Sequence, residues 1–283
     1  MTAPAQRAHE SGRPAGDRAQ PYLHIDRVGK DFTLGRETVT AVRDVTLEVR
    51  QGEFLAFIGH SGCGKSTVLN MVAGIHSPST GAIRVAGRTV SGPGPDRAMV
   101  FQGYSLLPWL TVEENVFQAV DAVFRDGMSS QDKRERAERF LRMVNLWEHR
   151  RKRPSEISGG MRQRTAIARA FAVEPEVLLL DEPFGALDAL TKGFLHDELL
   201  SLWQGAGTRQ TILMVTHDID EAIYLADRVM VMTDGPAATI RELIPIPLGR
   251  PRDKHSVMHD PRYLEIKEHL LSLLQKEPVA AAS

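Results

Sequence analysis

Gly59-His60-Ser61-Gly62-Cys63-Gly64-Lys65-Ser66-Thr67 decides the reading of this chain. It stands between a continuous apolar pentad, Phe54–Ile58, and a helical pattern over 65–73. Gly-x4-Gly-Lys-Ser/Thr between a buried strand and a helix is the template of a phosphate-cradling loop. Phosphate oxygens need many donors close together. Glycines let a loop curl until its backbone N–H groups converge, and a helix N-terminus adds its positive dipole. In that reading His60, Ser61, Gly62 and Cys63 complete the cradle and Lys65 reaches the β- and γ-phosphates of a nucleotide. Ser66 ligates Mg²⁺, and Thr67 bonds on the α-phosphate side. The competing reading is a glycine-rich turn with a solvated lysine, and the strand–loop–helix context weighs against it.

Outward from the loop, the pattern names an α/β chain. Over 22–58 the spacing is period two, with Val45, Leu47 and Val49 alternating with Thr46 and Glu48. Short strands follow around Ile83 and Val85 and over 98–101. From Pro175 strands and helices alternate: Val177–Asp181, a helix over 190–203, a strand over 211–216, a helix over 219–226, and Arg228–Met232. Strands joined through helices require crossovers, hence a mostly parallel sheet. The middle, about 103–165, reads as a helical insert. Thr111 and Glu114 form a capping box, Val112, Val116, Val120 and Val123 line one face, and a second amphipathic helix covers 130–146. The expected organisation is a disordered tail over 1–21, a catalytic domain over 22–250 and a helical extension over 251–283. In that extension Leu264, Ile266, Leu270, Leu271 and Leu274 should dock.

Composition bounds the function classes. The 283 residues carry 35 Lys+Arg against 36 Asp+Glu, a net charge of −1, without the basic footprint of a dedicated nucleic-acid binder. No apolar run approaches the roughly 20 residues that span a bilayer. Work at a membrane is therefore expected through a partner. A single cysteine, Cys63, excludes a disulfide framework and a multi-cysteine metal site. The first residues lack the apolar core of a signal peptide, so the expected compartment is cytoplasmic.

Leu178-Leu179-Leu180-Asp181-Glu182 ends a buried strand on two acids, where ligand crevices open in parallel sheets. Asp181 would hold Mg²⁺ through its water shell and Glu182 would orient and deprotonate an attacking water. Alternatively the pair caps the turn at Pro183.

Ser158-Gly159-Gly160-Met161-Arg162-Gln163 opens a helix, and its arrangement resembles the signature of ABC-type ATPases. With Gln102, Ala186-Leu187-Asp188 and His217 it follows that family's order of motifs from about Phe32 to Met232. The resemblance implies a P-loop NTPase (RecA-like) α/β core with an antiparallel β-subdomain and an inserted helical subdomain. It implies ATP and Mg²⁺ as ligands. Gln102 stands at the Q-loop position, toward metal and water, Asp188 in the D-loop and His217 in the switch, where imidazole reaches the γ-phosphate. Phe32 stands where an aromatic stacks on adenine, although a Phe there equally serves a core. Ser158, Gly159 and Gly160 would meet the γ-phosphate held by a second subunit, so that two ATPs are sandwiched head to tail. Met161 departs from the family's commoner Gln but leaves the backbone donors and Ser158 in place.

The same residues are similar to the nitrate/sulfonate/taurine/bicarbonate importer group, and within it to the nitrate, cyanate and bicarbonate systems. That implies a motor at the cytoplasmic face of the inner membrane, with a second ATPase subunit, a permease and a solute-binding protein as partners. The apolar segment 102–109 would be a permease-facing patch or an internal hydrophobic staple. The basic run 150–153 is a lipid-facing patch or, more simply, a solvated turn. The rival readings are a soluble ABC ATPase uncoupled from transport and a P-loop kinase. The kinase would have no use for Ser158–Met161.

Overall fold

A computed structural model describes residues 21–185, 187–205 and 210–275. The expected tail, up to residue 20, lies outside them, as do Ala186 of the D-loop and the chain beyond 275. In chain order, β1 (Leu23–Leu34), β2 (Glu37–Val49) and β3 (Phe54–Ile58) lead through the glycine loop into α1 (Lys65–Val72). Next come β4 (Thr80–Val85), β5 (Arg88–Thr89) and β6 (Arg97–Val100), then α2 (Val112–Val123), α3 (Ser130–Met143) and α4 (Gly159–Ala172). The second half alternates β7 (Val177–Asp181), α5 (Ala189–Gly205), β8 (Thr211–Val215), α6 (Ile219–Leu225) and β9 (Arg228–Met232). It closes with β10 (Ile240–Pro245), α7 (Lys254–Val257) and α8 (Pro261–Leu274).

Among the described residues the strands form two sheets. One is antiparallel, in the order β2-β1-β4-β5; the other runs β10-β9-β3-β8-β7-β6 and is parallel except for β10. The parallel strands read as unbroken apolar runs because each feeds two cores. Phe54, Ala56 and Ile58 of β3 join the core beneath the helices, whereas Leu55 and Phe57 join the core shared with α1 and the antiparallel sheet. The strands β7, β8 and β9 divide in the same way: Leu178 and Leu180, Ile212 and Met214, Val229 and Val231 lie on the helical side. Residues of alternating side thus anchor the strand ends that carry the acids and the phosphate loop.

The insert forms as its pattern predicts. In α2 the capping box is complete, Thr111 N donating to Glu114 Oε2 at 2.7 Å and Glu114 N to Thr111 Oγ1 at 3.2 Å. Val112, Val116 and Val120 are buried against Phe140 and Leu141 of α3. Two expectations need correction. The helix anticipated over 130–146 stops at Met143, and Asn145 takes a left-handed turn at φ +51°. The C-terminal stripe is split: Leu270 is fully buried and Tyr263 nearly so, but Leu264 and Leu271 are 52% and 42% exposed. The helix α8 packs on α6 through the face of Tyr263, Lys267, Leu270 and Leu274, and Leu264 and Leu271 fall on another side. A strand absent from the sequence reading, β10, pairs antiparallel with β9 at the sheet edge. The expected boundary at 250/251 lies in packed chain. Arg252 is buried and donates to the carbonyls of Ile223, Tyr224 and Ala226 at 2.7–2.9 Å. No described helix is long and apolar enough to cross a membrane.

Candidate active site

The glycine loop leaves the C-terminal end of β3 and turns into α1. Gly62 has φ +80° and Gly64 φ +95°, and a Cβ on Gly64 would lie 2.4 Å from Val42 Cγ1. A side chain there is excluded both by backbone conformation and by space. Gly64 also occupies the N-cap of α1 without a side-chain cap, so the first N–H groups of that helix stay available to an anion. The loop borders a cleft of 220 Å³ lined by Ser61, Gly62, Gly64, Lys65, Ser66 and Thr67 with Ala41 and Glu182. Lys65 is held over the loop by its own carbonyls, Nζ lying 2.8 Å from Gly59 O and 2.9 Å from His60 O. Cys63 is buried beneath it.

The two acids enter from the neighbouring strand. Ser66 Oγ donates to Asp181 Oδ1 at 2.8 Å, joining the end of β7 to the first turn of α1. Burial pushes the Asp181 carboxyl above its ordinary range and the Glu182 charge adds to that, while the Ser66 hydrogen bond and Lys65 oppose it. A cation bound between Ser66 and Asp181 would relieve the strain on that charge. Both are hard oxygen donors, the set Mg²⁺ takes when it keeps water and substrate phosphates as its other ligands, so these residues fit the ion. No group of three or more His, Cys, Asp or Glu that would hold a metal alone occurs among the described residues.

Glu182 adopts φ +46° and its N–H donates to Val215 O at 3.0 Å, which turns its carboxylate out of the sheet toward the cleft. Gln102 Nε2 donates to Glu182 Oε2 at 3.0 Å, and His217 Nδ1 stands 3.8 Å from the same oxygen. The His217 side chain is 61% exposed, so its ring is accessible to a ligand. Two residues that follow β6 and β8 thus converge on the carboxylate that follows β7, at the mouth of the cleft.

Ser158 stays apart from this group. It caps α4, accepting from Met161 N at 3.3 Å, and is exposed; no residue of α4 lines the cleft. A Cβ on Gly160 would lie 2.7 Å from Thr191 Cγ2, so this glycine lets α4 approach α5 closely. Asp188 Oδ1 accepts from Thr191 N at 3.0 Å at the start of α5. Phe32 is half-buried, edge-on to His76 and beneath Lys30 Nζ. In the segment after Gln102, Trp109 is 66% exposed whereas Tyr104 and Leu106 pack on the core. The basic turn is mostly solvated, with Arg150 stacked 4.3 Å from the Trp147 ring centroid.

Residues 42–185 match the family model described as ABC transporter, which is half of the chain and spans the glycine loop, Gln102, Ser158 and both acids. The chain belongs to the ABC transporter family. It is 52% identical over 255 residues to the nitrate import ATP-binding protein NrtD of Synechococcus elongatus, covering 90% of this chain and 92% of that one. It is 50% identical over 274 residues to the bicarbonate transport ATP-binding protein CmpD of Synechocystis, covering 97% and 96%. Among solved structures it is similar to the dimeric post-hydrolysis state of the ATP-binding cassette MJ0796 bound to ADP and Pi. The TM-score is 0.71 at 31% identity, over 80% of this chain and all of that one.

For this ABC transporter chain, the P-loop NTPase core with its second, antiparallel sheet and helical insert is therefore as the motifs implied. Several residues at the site carry no motif signal. Ala41 lines the cleft from β2, and Asp234 Oδ1 lies 2.6 Å from His60 Nδ1 across the loop 233–238. Buried Asn115 pins the segment after Gln102 through Leu107 N and the carbonyls of Leu107, Leu110 and Thr111. Its amide in the capped first turn of α2 is the only hint the sequence holds.

Proposed function

We propose that this chain is the ATP-hydrolysing subunit of an importer for a small anion of the nitrate and bicarbonate class. It works on the cytoplasmic face of a membrane, with a second ATPase subunit, a separate permease and a solute-binding protein. The observation that carries the reading is the Glu182 carboxylate at the mouth of the glycine cleft, flanked by Gln102 and His217. The likeness to NrtD and CmpD supports the cargo class, since the motor does not itself touch the solute.

In the cleft, N–H groups of the loop and of the first turn of α1 bind the phosphate oxygens, and Lys65 leaves its carbonyl partners to neutralise the β- and γ-phosphates. Mg²⁺ held by Ser66 and Asp181 would neutralise phosphate charge. Gln102 and His217 fix the Glu182 carboxylate so that it orients a water in line with the terminal phosphorus. The water oxygen bonds to that phosphorus as the bond to the β-phosphate oxygen breaks. The water's proton passes to Glu182, and ADP and phosphate result. The exposed helix tip at Ser158, with the dipole of α4 behind it, would close on the γ-phosphate of the second subunit.

The test is uptake by vesicles holding the chain together with the membrane protein that co-purifies with it. ATP-dependent entry of labelled nitrate or bicarbonate, abolished by Lys65→Ala together with nucleotide affinity, is the expected result. Full ATP turnover with no membrane protein bound and no anion entry would favour the soluble alternative. Unchanged ATP binding by Lys65→Ala would overturn the cleft assignment.

A further inference from the structure

A partly buried ionic cluster joins the first turns of α5 and α6 beside the switch histidine, and none of its members lines the cleft. Lys192 is in the first turn of α5, and its backbone N–H donates to Asp188 O at 2.9 Å. Its Nζ lies 2.8 Å from Asp218 Oδ2 and 2.6 Å from Glu221 Oε1. These two carboxylates bracket His217 through the backbone. Asp218 is its chain neighbour and caps α6 by accepting from Glu221 N at 3.1 Å. Glu221 Oε2 accepts from Thr216 Oγ1 at 2.5 Å, and Asp218 N donates to the same hydroxyl at 3.1 Å. Thr216 N in turn donates to Phe57 O of β3, the strand that delivers the phosphate loop. His196 Nε2, one turn further along α5, stands 3.3 Å from Glu221 Oε1.

Asp218 is thus held from α5 directly and Thr216 through Glu221 of α6, and the helix that carries Lys192 begins at the D-loop aspartate. We propose that Lys192 is a positioning residue for ATP hydrolysis, through which the start of α5 behind Asp188 sets the place of the His217 ring. The inference rests on the functional reading above. Three features favour a positioning role over plain stabilisation. The Glu221 side chain is only 3% exposed and Lys192 20%, so most of the pair is shielded from water. A buried ion pair is a poor source of net stability, and its best-attested use is to fix a register or a switch. Third, burial works against both charges, yet hydrogen bonds to Asp218 and Glu221 carry the Lys192 ammonium above the ordinary lysine range. Those from His196, Lys192 and Thr216 likewise hold Glu221 below the carboxylate range. Both groups stay ionised through neutral pH, so the clamp persists while the catalytic carboxylate changes its proton.

Movement of the α5 start, on the D-loop surface where the family places the second subunit, would then reach His217 through one side chain. A displaced ring no longer supports Glu182, whereas the glycine cleft, built from β3 and α1, keeps its nucleotide contacts. Turnover and binding should therefore separate.

The experiment compares the full chain with Lys192→Met and Lys192→Arg, with Glu221→Gln as a second variant that keeps the side-chain shape. Turnover at saturating ATP should fall roughly 10- to 100-fold in Lys192→Met and Glu221→Gln. KM for ATP should stay within about threefold, and Lys192→Arg should recover most of the rate. In chain labelled with ¹⁵N-histidine, the His217 ring resonances should shift in Lys192→Met and return in Lys192→Arg. Turnover of Lys192→Met and Glu221→Gln within about twofold of the parent overturns the proposal. So does an equal loss in Lys192→Arg, or a His217 signal unmoved while turnover falls. A parent chain that neither binds nor hydrolyses ATP would instead remove the functional reading, and the inference with it.

Discussion

Glu198 shows how far a single side chain can depart from its sequence environment. It lies on α5 with both carboxylate oxygens buried and without a hydrogen-bond partner among the described residues. Burial pushes its carboxyl up to about 7 from an ordinary 4.5, against a weak pull from Arg164. The folded form therefore holds a proton that the unfolded chain releases above about pH 4.5. Stability falls as pH rises from there, and the loss is complete above about pH 7. Replacing Glu198 by Gln should stabilise the chain by on the order of 1 kcal/mol at pH 8, after allowance for solvent screening of a partly exposed group. The gain should vanish near pH 4.5. Urea titrations at the two pH values check this, and an equal gain at both would contradict the assignment. Nothing in the local pattern around Leu195 and Leu199 marks this acid as buried. By contrast Lys65, Ser66, Asp181 and Glu182 were legible as residues, because phosphate and metal chemistry restricts both their types and their spacing.

At the scale of elements, α6 is a seven-residue helix held at both ends by distant chain. Its first turn offers Asp220 to the Tyr263 hydroxyl at 2.5 Å and to Lys267 of α8, and its last carbonyls bond Arg252. Arg252→Met should destabilise the chain by about 2–4 kcal/mol, since it leaves several buried carbonyls without donors. An unfolding free energy from urea titration lowered by less than a tenth of that would show that water replaces the guanidinium. Helices with caps and stripes, α2 above all, were readable because their stabilising contacts are local in sequence. The strand β10 and the true face of α8 were not. An edge strand that pairs on one side needs no apolar run, and the α8 face is chosen by where Asp220 and the core lie.

For the whole molecule, the telling feature is that Ser158 does not line the cleft of its own chain. The signature helix tip is exposed and contributes nothing to the site built around Lys65 and Glu182. Glu182→Gln retains the cleft but lacks the proton acceptor, so it should accumulate a dimer in ATP and Mg²⁺ and hydrolyse very slowly. Light scattering should show a doubling of the 31.4 kDa mass. A monomer at saturating nucleotide would exclude the sandwich, and Ser158→Arg in the same background should restore the monomer by steric and charge conflict.

Residue types at fixed spacing were enough to name the phosphate-binding loop and the alternation of strands with helices, which follow from steric and hydrogen-bonding rules that act over a few residues; the order of motifs was legible through the family resemblance. Only the tertiary structure decided which oxygen of Glu182 meets Gln102 and His217, that Lys192 reaches both acids beside the switch, and that Arg252 is buried against α6. Those contacts join positions far apart in the chain, and packing of the assembled sheet and helices selects them.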